Sequence, residues 1–392
     1  MKSKKKRDQQ ADLEKDLLLD PEKLAKRKKR RRRKLLAVVL CQLAVLVIIL
    51  AAAFQILRLV GRNSLQGRAE AAAPDLSPIQ AQQELTQEEE QKWQQGWVKH
   101  NDKIYAYKED ILTFLFMGID KNSEVKEVPE GTDGGQADAL FLGVMDFADK
   151  KIKIIGINRN TMTDIDIYNE EGAYVTTTKA QIAVQHGFGN GLEESCGYQI
   201  KAVAKLFYGL PIHGYAAVNM SAIPAINDAV GGVEVEVLED LTAKDSALVQ
   251  DTKVHLTGEQ AFWYVKYRDT DKFASADRRL DRQKQYLNAF IGAAKQAVRR
   301  DVTAALDLYR EVSSQMVTDI TLDEAAYLAP ILADYQFDAD SFYILKGETV
   351  KGEKFEEFYV DEEALYEMIL EIFYEEVEPD GQKQDKAEIN EK

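Results

Sequence analysis

The sequence predicts an α/β protein with a central mixed β-sheet flanked by helices and preceded by one transmembrane helix. Short apolar runs alternate with helical patterns beyond residue 110, as in α/β folds. An uncharged stretch, Leu35–Leu57, separates a basic N-terminus from a long acidic remainder. Of the two cysteines, Cys41 lies inside this stretch. The following domain therefore has no internal disulfide and depends on a hydrophobic core, in which we expect Cys196 to be buried.

The uncharged stretch Leu35–Leu57 has the length of a membrane span. Its 23 residues would form a helix of about 34 Å, enough to cross a hydrocarbon core of about 30 Å. Nine consecutive basic residues, Lys26–Lys34, precede it and predict a cytoplasmic N-terminus. A cleaved signal peptide would have a shorter apolar core, of about 7–15 residues. The predicted localisation is the cell membrane, single-pass, with the C-terminal domain extracytoplasmic.

The N-terminal segment and the remainder of the chain differ in net charge, as expected if they face different environments. Residues 1–34 carry 16 basic and 6 acidic residues, whereas the remainder carries 35 basic and 60 acidic residues. The basic run adjoins the predicted span, which favours topology and attraction to anionic lipid over nucleic-acid binding. The predicted segments are a basic cytoplasmic N-terminus 1–34, the transmembrane helix 35–57, a Gln- and Glu-rich stalk 58–105, an α/β domain 106–300, a helical extension 301–377 packed on the same unit, and a disordered acidic tail 378–392.

The domain is predicted to open with three strands, Ile111–Ile119, Ala139–Met145 and Lys151–Ile157, because these are short apolar runs rich in aromatic and β-branched residues. The last two are close enough to pair around Asp146–Lys150. The later strands are predicted at Tyr215–Asn219, Val233–Val237 and Phe342–Leu345. The helices are predicted at Lys179–Gln185, Gln199–Phe207, Ser221–Ala229, Thr257–Tyr267, Asp277–Val298, Asp301–Val312, Leu322–Tyr335 and Asp361–Tyr374.

Two carboxylates lie at predicted strand ends. Zinc spacings of His and Cys, phosphate-binding glycine patterns and a serine nucleophile elbow are absent from the sequence. Asp120 ends the first strand and Asp138 precedes the second. If these strands are antiparallel neighbours, the two carboxylates converge and can bind Mg²⁺ together with substrate phosphate oxygens. The alternative is that both residues only form turns.

A group of cations follows later in the chain. On the predicted long helix, Arg279 and Arg282–Gln283 are three and four residues apart and share one face. Guanidinium groups match phosphate oxygens in pairs, and phosphoryl transfer requires neutralisation of negative charge. The alternative is a solvated helix face with ion pairs to Asp277 and Asp281. The whole group comprises Arg159, Lys266, Arg268, Arg278, Arg279, Arg282 and Gln283.

From about residue 110 to 295 the sequence resembles the LytR-CpsA-Psr family. The resemblance rests on seven motifs in the family's order, behind an N-terminal membrane anchor. These motifs are Phe116–Asp120, Ala137–Leu140, Ile157–Asn160, Ala229–Val233, Leu256–Ala261, Tyr264–Arg268 and Arg279–Gln283.

The resemblance implies a membrane-anchored extracytoplasmic phosphotransferase that attaches a polyprenyl-pyrophosphate-linked glycopolymer, of teichoic acid or capsule type, to peptidoglycan. The partners implied are this donor, the peptidoglycan acceptor and the lipid bilayer, without nucleic acid. The cofactor implied is Mg²⁺, with Mn²⁺ as the alternative. By position, Asp120 and Asp138 are the metal ligands. The catalytic residues implied are Arg159, Arg268, Arg279 and Asp277, and the substrate-binding residues are Lys266, Arg278, Arg282 and Gln283.

The family also has a hydrophobic tunnel for the polyprenyl chain. We expect some of its lining to come from helices that flank the sheet. The candidate lining residues are Val184, Leu206, Phe207, Ile223 and Ile226.

The sequence departs from the family pattern at three places. The family usually has Pro-Arg-Asp where this chain has Asn158-Arg159-Asn160, and usually Arg where Lys266 stands. Lysine keeps the positive charge but lacks the planar guanidinium group that can donate two parallel hydrogen bonds to a phosphate. The family often has an Asp, a candidate general base, where this chain has Ala276; Asp277 or Asp281 is then the substitute. The alternative function is a non-catalytic polyprenyl-pyrophosphate-binding or regulatory protein of the cell envelope. A transcriptional regulator fits the predicted topology poorly.

Overall fold

The computed structural model describes residues 73–79, 85–129, 134–301 and 303–378, and also residues 29, 52, 54–56, 59–65 and 67. The predicted transmembrane helix lies almost wholly outside these residues, as do most of the N-terminal segment and of the acidic tail. Among the described residues, none of the helices combines the length and the apolar character that crossing a membrane requires. The chain divides into two units, residues 1–59 and 60–392, and the elements below belong to the second.

The helices with defined ends are α1 Gln87–Lys92, α2 Glu193–Leu206, α3 Ile223–Ala229, α4 Gly258–Lys266, α5 Ser275–Arg300, α6 Ala304–Val312, α7 Leu322–Asp334 and α8 Glu362–Phe373. The strands are β1 Val98–His100, β2 Lys103–Tyr107, β3 Ile111–Ile119, β4 Ala137–Asp146, β5 Lys151–Ile157, β6 Met162–Tyr168, β7 Tyr174–Gln181, β8 Gly214–Asn219, β9 Val233–Glu236, β10 Lys253–Leu256, β11 Met316–Thr318, β12 Phe342–Ile344, β13 Gly347–Lys351, β14 Glu356–Val360 and β15 Tyr374–Val377.

A six-stranded mixed sheet with the order β11-β8-β3-β4-β5-β12 forms the centre of the fold. Strand β3 pairs antiparallel with β4 and parallel with β8, while β5 pairs antiparallel with β4 and parallel with β12. The predicted mixed sheet is therefore confirmed, and so is the pairing of the second and third predicted strands, which places Asp146 opposite Lys151.

The central strands are covered on both faces. Alternate residues of β3 point in opposite directions. Leu115 lies in one core cluster with residues of α2 and α8, whereas Phe114 lies in another with residues of α7. Helix α5 packs on this second cluster, and through Tyr286 it also joins a third cluster around β9, β10 and α4. Helix α5 therefore fixes the β9–β10 region to the central sheet.

One predicted helix is wrong. Residues 179–185 do not form the expected helix, because β7 continues to Gln181 and a 3₁₀ helix, Ile182–Phe188, follows. Strands β6 and β7 form an unpredicted hairpin. In its turn the Asn169 side chain accepts hydrogen bonds from the backbone N–H groups of Glu171 and Ala173. Such a side-chain turn favours a hairpin over a helix.

Two predicted boundaries cut through folded structure. The stretch 301–377, predicted as a helical extension with a last strand at Phe342–Leu345, contributes that strand as β12 and an unpredicted strand, β11, to the two edges of the central sheet. The stalk predicted to end at residue 105 overlaps β1 and β2, which pair with β15. Cys196 is fully buried, as predicted.

Residues 60–65, predicted as part of the stalk, pack against α7. A Cβ atom at Gly61 would lie 2.4 Å from the Asp323 carbonyl oxygen, so only glycine permits this approach. The Ser64 hydroxyl donates to Glu324 Oε1 at 2.6 Å, and Leu65 is buried in the cluster that contains Leu328. This short helical stretch is therefore part of the folded unit.

We expect Leu115→Ala to lower the free energy of unfolding by about 2–5 kcal/mol, because it leaves a cavity at the sheet centre. Leu115 is 0% exposed, whereas Leu238, the matched control, is 43% exposed. Leu238→Ala should cost far less. Denaturant unfolding of the full chain in detergent measures both, and equal losses would contradict the placement of Leu115 in the core.

Candidate active site

The two predicted metal-binding carboxylates lie at the same end of adjacent strands. Asp120 directly follows β3, and its backbone N–H donates to the Gln136 carbonyl at 3.0 Å. The register shifts between Gly118 and Ile119, so that Asp138 is the extra residue of a β-bulge in β4. The prediction that the two strands are antiparallel neighbours is confirmed.

Asp138 is the centre of an ion-pair cluster. Its carboxylate lies 2.8 Å from Arg159 Nε and 2.9 Å from Arg279 Nη1. Arg279 is 4% exposed, and its Nη2 also donates to the Asp138 carbonyl at 3.2 Å. A second donor group of Arg159 contacts the side chain of Gln136, a partner that the sequence did not indicate. Three distant parts of the chain thus meet at one carboxylate.

Arg268 is the third guanidinium of this cluster. Burial lowers the pKa of Arg268, the charge of Arg279 lowers it further, and the charge of Asp138 raises it. Burial also lowers the pKa of Arg159; Asp138 raises that pKa, and Arg279 and Arg268 lower it. The three cations repel one another, and Asp138 is paired with only two of them, Arg159 and Arg279. A cluster with this surplus of positive charge favours an incoming anion.

Arg282 holds the framework of the site rather than facing its opening. Its side chain is 1% exposed, and its guanidinium donates to the carbonyls of Tyr264 and Tyr267. Its Nε lies 2.7 Å from Glu239 Oε1. Carbonyls at the end of a helix lack intrahelical partners, so Arg282 caps α4. The predicted substrate-binding role does not agree with these contacts, because the donors of Arg282 are directed at the protein.

Gln283 and Arg278 are also engaged within the protein. Gln283 Nε2 donates to the Val265 carbonyl at 3.1 Å and adds a second cap to α4. Arg278 is half-buried; its Nη1 donates to the Phe273 carbonyl at 2.9 Å, and its Nε lies 3.6 Å from Glu239. These contacts position the segment 264–273, and substrate binding by Gln283 and Arg278 stays a prediction.

Lys266 connects the end of α4 to the end of β3. Its Nζ donates to Asn122 Oδ1 at 2.8 Å and lies 3.6 Å from Asp120 Oδ1. The Asp120 side chain is 51% exposed. Lys266 thus places a point charge beside the more accessible of the two carboxylates, without the planar fork of an arginine.

Asp277, the substitute for the missing acid at Ala276, is held between two elements. Its Oδ1 accepts a hydrogen bond from the Asn158 side chain, and its Oδ2 accepts one from the Thr349 hydroxyl at 2.8 Å. Asn158, which departs from the family pattern, is therefore the partner of the substitute acid. Partial desolvation raises the pKa of Asp281, and so does the nearby charge of Asp277.

A cleft of about 460 Å³ opens beside the cation cluster. Strands β13 and β14 form a hairpin that supplies one wall of this cleft and that was not predicted from the sequence. Two strand-like runs separated by a short polar segment with Gly352 are the signal that indicates such a hairpin. The lining includes Arg159, Arg268, Lys272, Phe273, Lys351 and Phe355.

The five candidate tunnel residues do not share one surface. Phe207 is fully buried in the central cluster, against which Val184 and Leu206 pack. Ile223 packs instead on the β9–β10 cluster. None of the five lines the cleft. A common lining by all of them therefore does not fit the packing, and the tunnel itself stays a prediction.

Asp120 and Asp138 fit a divalent cation only together with substrate. Within the described ranges, no group of three or more His, Cys, Asp and Glu side chains is placed to hold a metal. Mg²⁺ commonly binds one or two carboxylates while waters and substrate phosphates supply its other ligands. Both Asp138 oxygens pair with arginines, so the two carboxylates suit Mg²⁺ only when a phosphate substrate supplies further ligands.

Residues 77–369 match the LytR_cpsA_psr family model. The chain belongs to this family. It is 28% identical over 228 residues to the polyisoprenyl-teichoic acid–peptidoglycan teichoic acid transferase TagU of Bacillus cereus, covering 58% of this chain and 66% of that relative. It is 27% identical over 243 residues to the corresponding transferase TagV of Bacillus subtilis, covering 60% of this chain and 56% of TagV.

The chain thus spans 66% of the length of TagU and 56% of the length of TagV, less than two thirds of either LytR_cpsA_psr relative. The crystal structure of B. subtilis TagV has a similar fold, with a TM-score of 0.52 and 22% identity, covering 67% of this chain and 97% of that structure. The mixed α/β architecture is therefore that of the family.

We expect Arg282→Met to lower the free energy of unfolding by about 3 kcal/mol or more, because it removes one partner of a buried ion pair and uncaps α4. Arg299→Met, at an exposed arginine in the last turn of α5, is the matched control and should change stability by no more than about 0.5 kcal/mol. Denaturant unfolding measures both variants. If Arg282→Met were as stable as wild type, Arg282 would not be a structural residue.

Proposed function

We propose that this LytR_cpsA_psr protein is a phosphotransferase that attaches a polyprenyl-pyrophosphate-linked glycopolymer, of teichoic acid or capsule type, to peptidoglycan. The observation that carries the proposal is the pairing of Arg159 and Arg279 with the single carboxylate of Asp138, with Arg268 near them. The names of the two Bacillus relatives support the same reaction and partners.

The cluster suits phosphoryl transfer because this reaction depends on positioning and charge neutralisation. The three guanidinium groups bind the pyrophosphate oxygens, and Asp138 keeps Arg159 and Arg279 aligned. An acceptor hydroxyl of peptidoglycan attacks the phosphorus atom that carries the glycopolymer. A new P–O bond forms, the P–O bond to the lipid phosphate breaks, and polyprenyl phosphate leaves.

Asp120 and Asp138 are the residues that would hold Mg²⁺, or Mn²⁺ as the alternative. When bound, the ion supplies further neutralisation of the pyrophosphate charge. Lys266, beside Asp120, adds a cation on the same side of the site. The proposal assigns Asp277 as the group that accepts the proton of the attacking hydroxyl, with Asn158 and Thr349 orienting its carboxylate.

The apolar stretch 35–57 supports a single-pass anchor in the cell membrane, with the bilayer as a partner and the α/β domain outside the cytoplasm. An extracytoplasmic domain is in reach of both a lipid-linked donor and peptidoglycan. This topology is part of the proposal.

The alternative is a protein that binds the lipid pyrophosphate without turnover. It is favoured by Ala276 at the position of the family's candidate base and by the two hydrogen bonds that already engage Asp277. The two functions differ in one result, since a binding protein takes up the lipid pyrophosphate but releases no polyprenyl phosphate in the presence of peptidoglycan oligosaccharides.

We expect Arg268→Ala to reduce transfer by about a hundred-fold or more, because preorganised charge at the reacting group is lost. The matched control is Arg299→Ala, an exposed arginine in the last turn of the same helix as Arg279. The assay follows polyprenyl phosphate release by the full chain in lipid nanodiscs. Undiminished transfer by a stably folded Arg268→Ala variant would refute the assigned role.

We expect Mg²⁺ plus a prenyl pyrophosphate to raise the Tm of the wild-type protein, because a ligand that binds only the folded state stabilises it. Asp120→Asn should lose this gain while keeping the Tm of the protein without ligand, since Asp120 is half exposed. Asp138→Asn is expected to lower the Tm even without ligand, because two guanidinium groups lose their shared partner. If Asp120→Asn gained as much as wild type, Asp120 would not be a metal ligand.

A further inference from the structure

The β13–β14 hairpin is fixed to the site at its base. The Phe358 N–H donates to the Asn160 carbonyl at 2.9 Å, and the Gln181 side chain donates to the Glu356 carbonyl at 2.7 Å. Phe358 itself is buried in the central core. Together with the bond from Thr349 to Asp277, these contacts make the hairpin a firm wall next to the cation cluster.

The tip of this hairpin is exposed and aromatic. Phe355 is 68% exposed, and Phe273, on the segment between α4 and α5, is 56% exposed. Both line the cleft that also contains Arg159 and Arg268. The segment of Phe273 is tied to the hairpin, because the Ala274 N–H donates to Glu356 Oε1 at 2.7 Å. Two accessible rings therefore lie along one cleft that begins at the proposed phosphate site.

The charges of this cleft favour an anionic ligand. Its lining contains five cations and three acidic residues. One of the acids, Glu356, accepts a hydrogen bond from the Ala274 backbone, and one of the cations, Lys272, is paired with Asp269 at 3.2 Å. The cations are Arg159, Arg268, Lys272, Lys351 and Lys354. A volume of about 460 Å³ falls within the range of about 300–1,000 Å³ that is typical of small-molecule sites.

We infer that the cleft between the β13–β14 hairpin and the segment 270–275 binds the first sugar units of the donor, next to its pyrophosphate. Phe355 and Phe273 present apolar faces to the sugar rings, and Lys351 and Lys354 bind anionic groups on the saccharide. Aromatic side chains supply large contact area with few rotatable bonds. The inference rests on the proposed function, and it assigns the hairpin as the element that selects among glycopolymers.

The test measures binding of three prenyl pyrophosphates with the same lipid chain to the full protein in nanodiscs. One carries no sugar, one carries an uncharged disaccharide, and one carries the same disaccharide with an added glycerol phosphate. The variants are Phe355→Ala, the double variant Lys351→Gln and Lys354→Gln, and Arg268→Ala. The matched control is Tyr359→Ala, an exposed ring on the same hairpin outside the cleft lining.

Phe355→Ala should weaken the binding of both saccharide lipids about ten-fold, as the loss of an aromatic anchor does. It should leave the binding of the sugar-free lipid unchanged. The lysine variant should weaken chiefly the phosphate-bearing saccharide, and added salt should reduce that difference. Tyr359→Ala should bind all three lipids as wild type does. Arg268→Ala should weaken all three lipids alike.

If Phe355→Ala weakened the binding of all three lipids equally, or of none, the saccharide site would be overturned. The Arg268→Ala variant would still test the proposed function. A change confined to the concentration of peptidoglycan oligosaccharide needed for half-maximal transfer would assign the cleft to the acceptor instead, and would also overturn it. If the wild-type protein bound none of the lipids, or if Arg268→Ala bound them with the affinity of wild type, the proposed function itself would be contradicted.

Discussion

The pairing of Asp138 with Arg159 and Arg279 joins the bulge of β4, the end of β5 and the first turns of α5. Buried charges are costly unless they are paired, so the three elements must meet in one arrangement for any of these groups to be accommodated. One carboxylate serves two guanidinium groups, with Arg268 near them. The arrangement that stabilises the fold at this point therefore leaves the surplus charge that suits a pyrophosphate.

Helix α5 carries a residue of the site and also residues that hold the neighbouring helix α4 in place. Arg279 faces the sheet end, while Arg282 and Gln283, about one turn further on, cap α4 and thereby set the position of Arg268. Periodicity predicted that these residues share a face. It did not predict which donors reach carbonyls of another helix, because that depends on how the two helices pack.

The sequence predicted the central strands well because β3, β4 and β5 are apolar runs buried on both faces. It missed β11, which is three residues long and depends on the hydrogen bonds that a neighbouring strand offers, whereas the equally short β12 was predicted at Phe342–Leu345. The acidic pair and the arginines of the site followed from family motifs. Asn122 and Gln136, which bind Lys266 and Arg159, carry no motif, and only the folded loops bring them to the site.

The displacement of an acid by one position, from 276 to 277, has a geometric consequence. Successive residues of an α-helix are rotated by about 100° around its axis, so the side chains of Ala276 and Asp277 leave the helix on different sides. On its own side, Asp277 contacts Asn158 and Thr349 of the β13–β14 hairpin. The family usually has a proline at position 158, and a proline side chain could not donate this hydrogen bond. The departures at 158 and 276 therefore fit each other, and together they couple the proposed proton acceptor to the hairpin that lines the saccharide cleft.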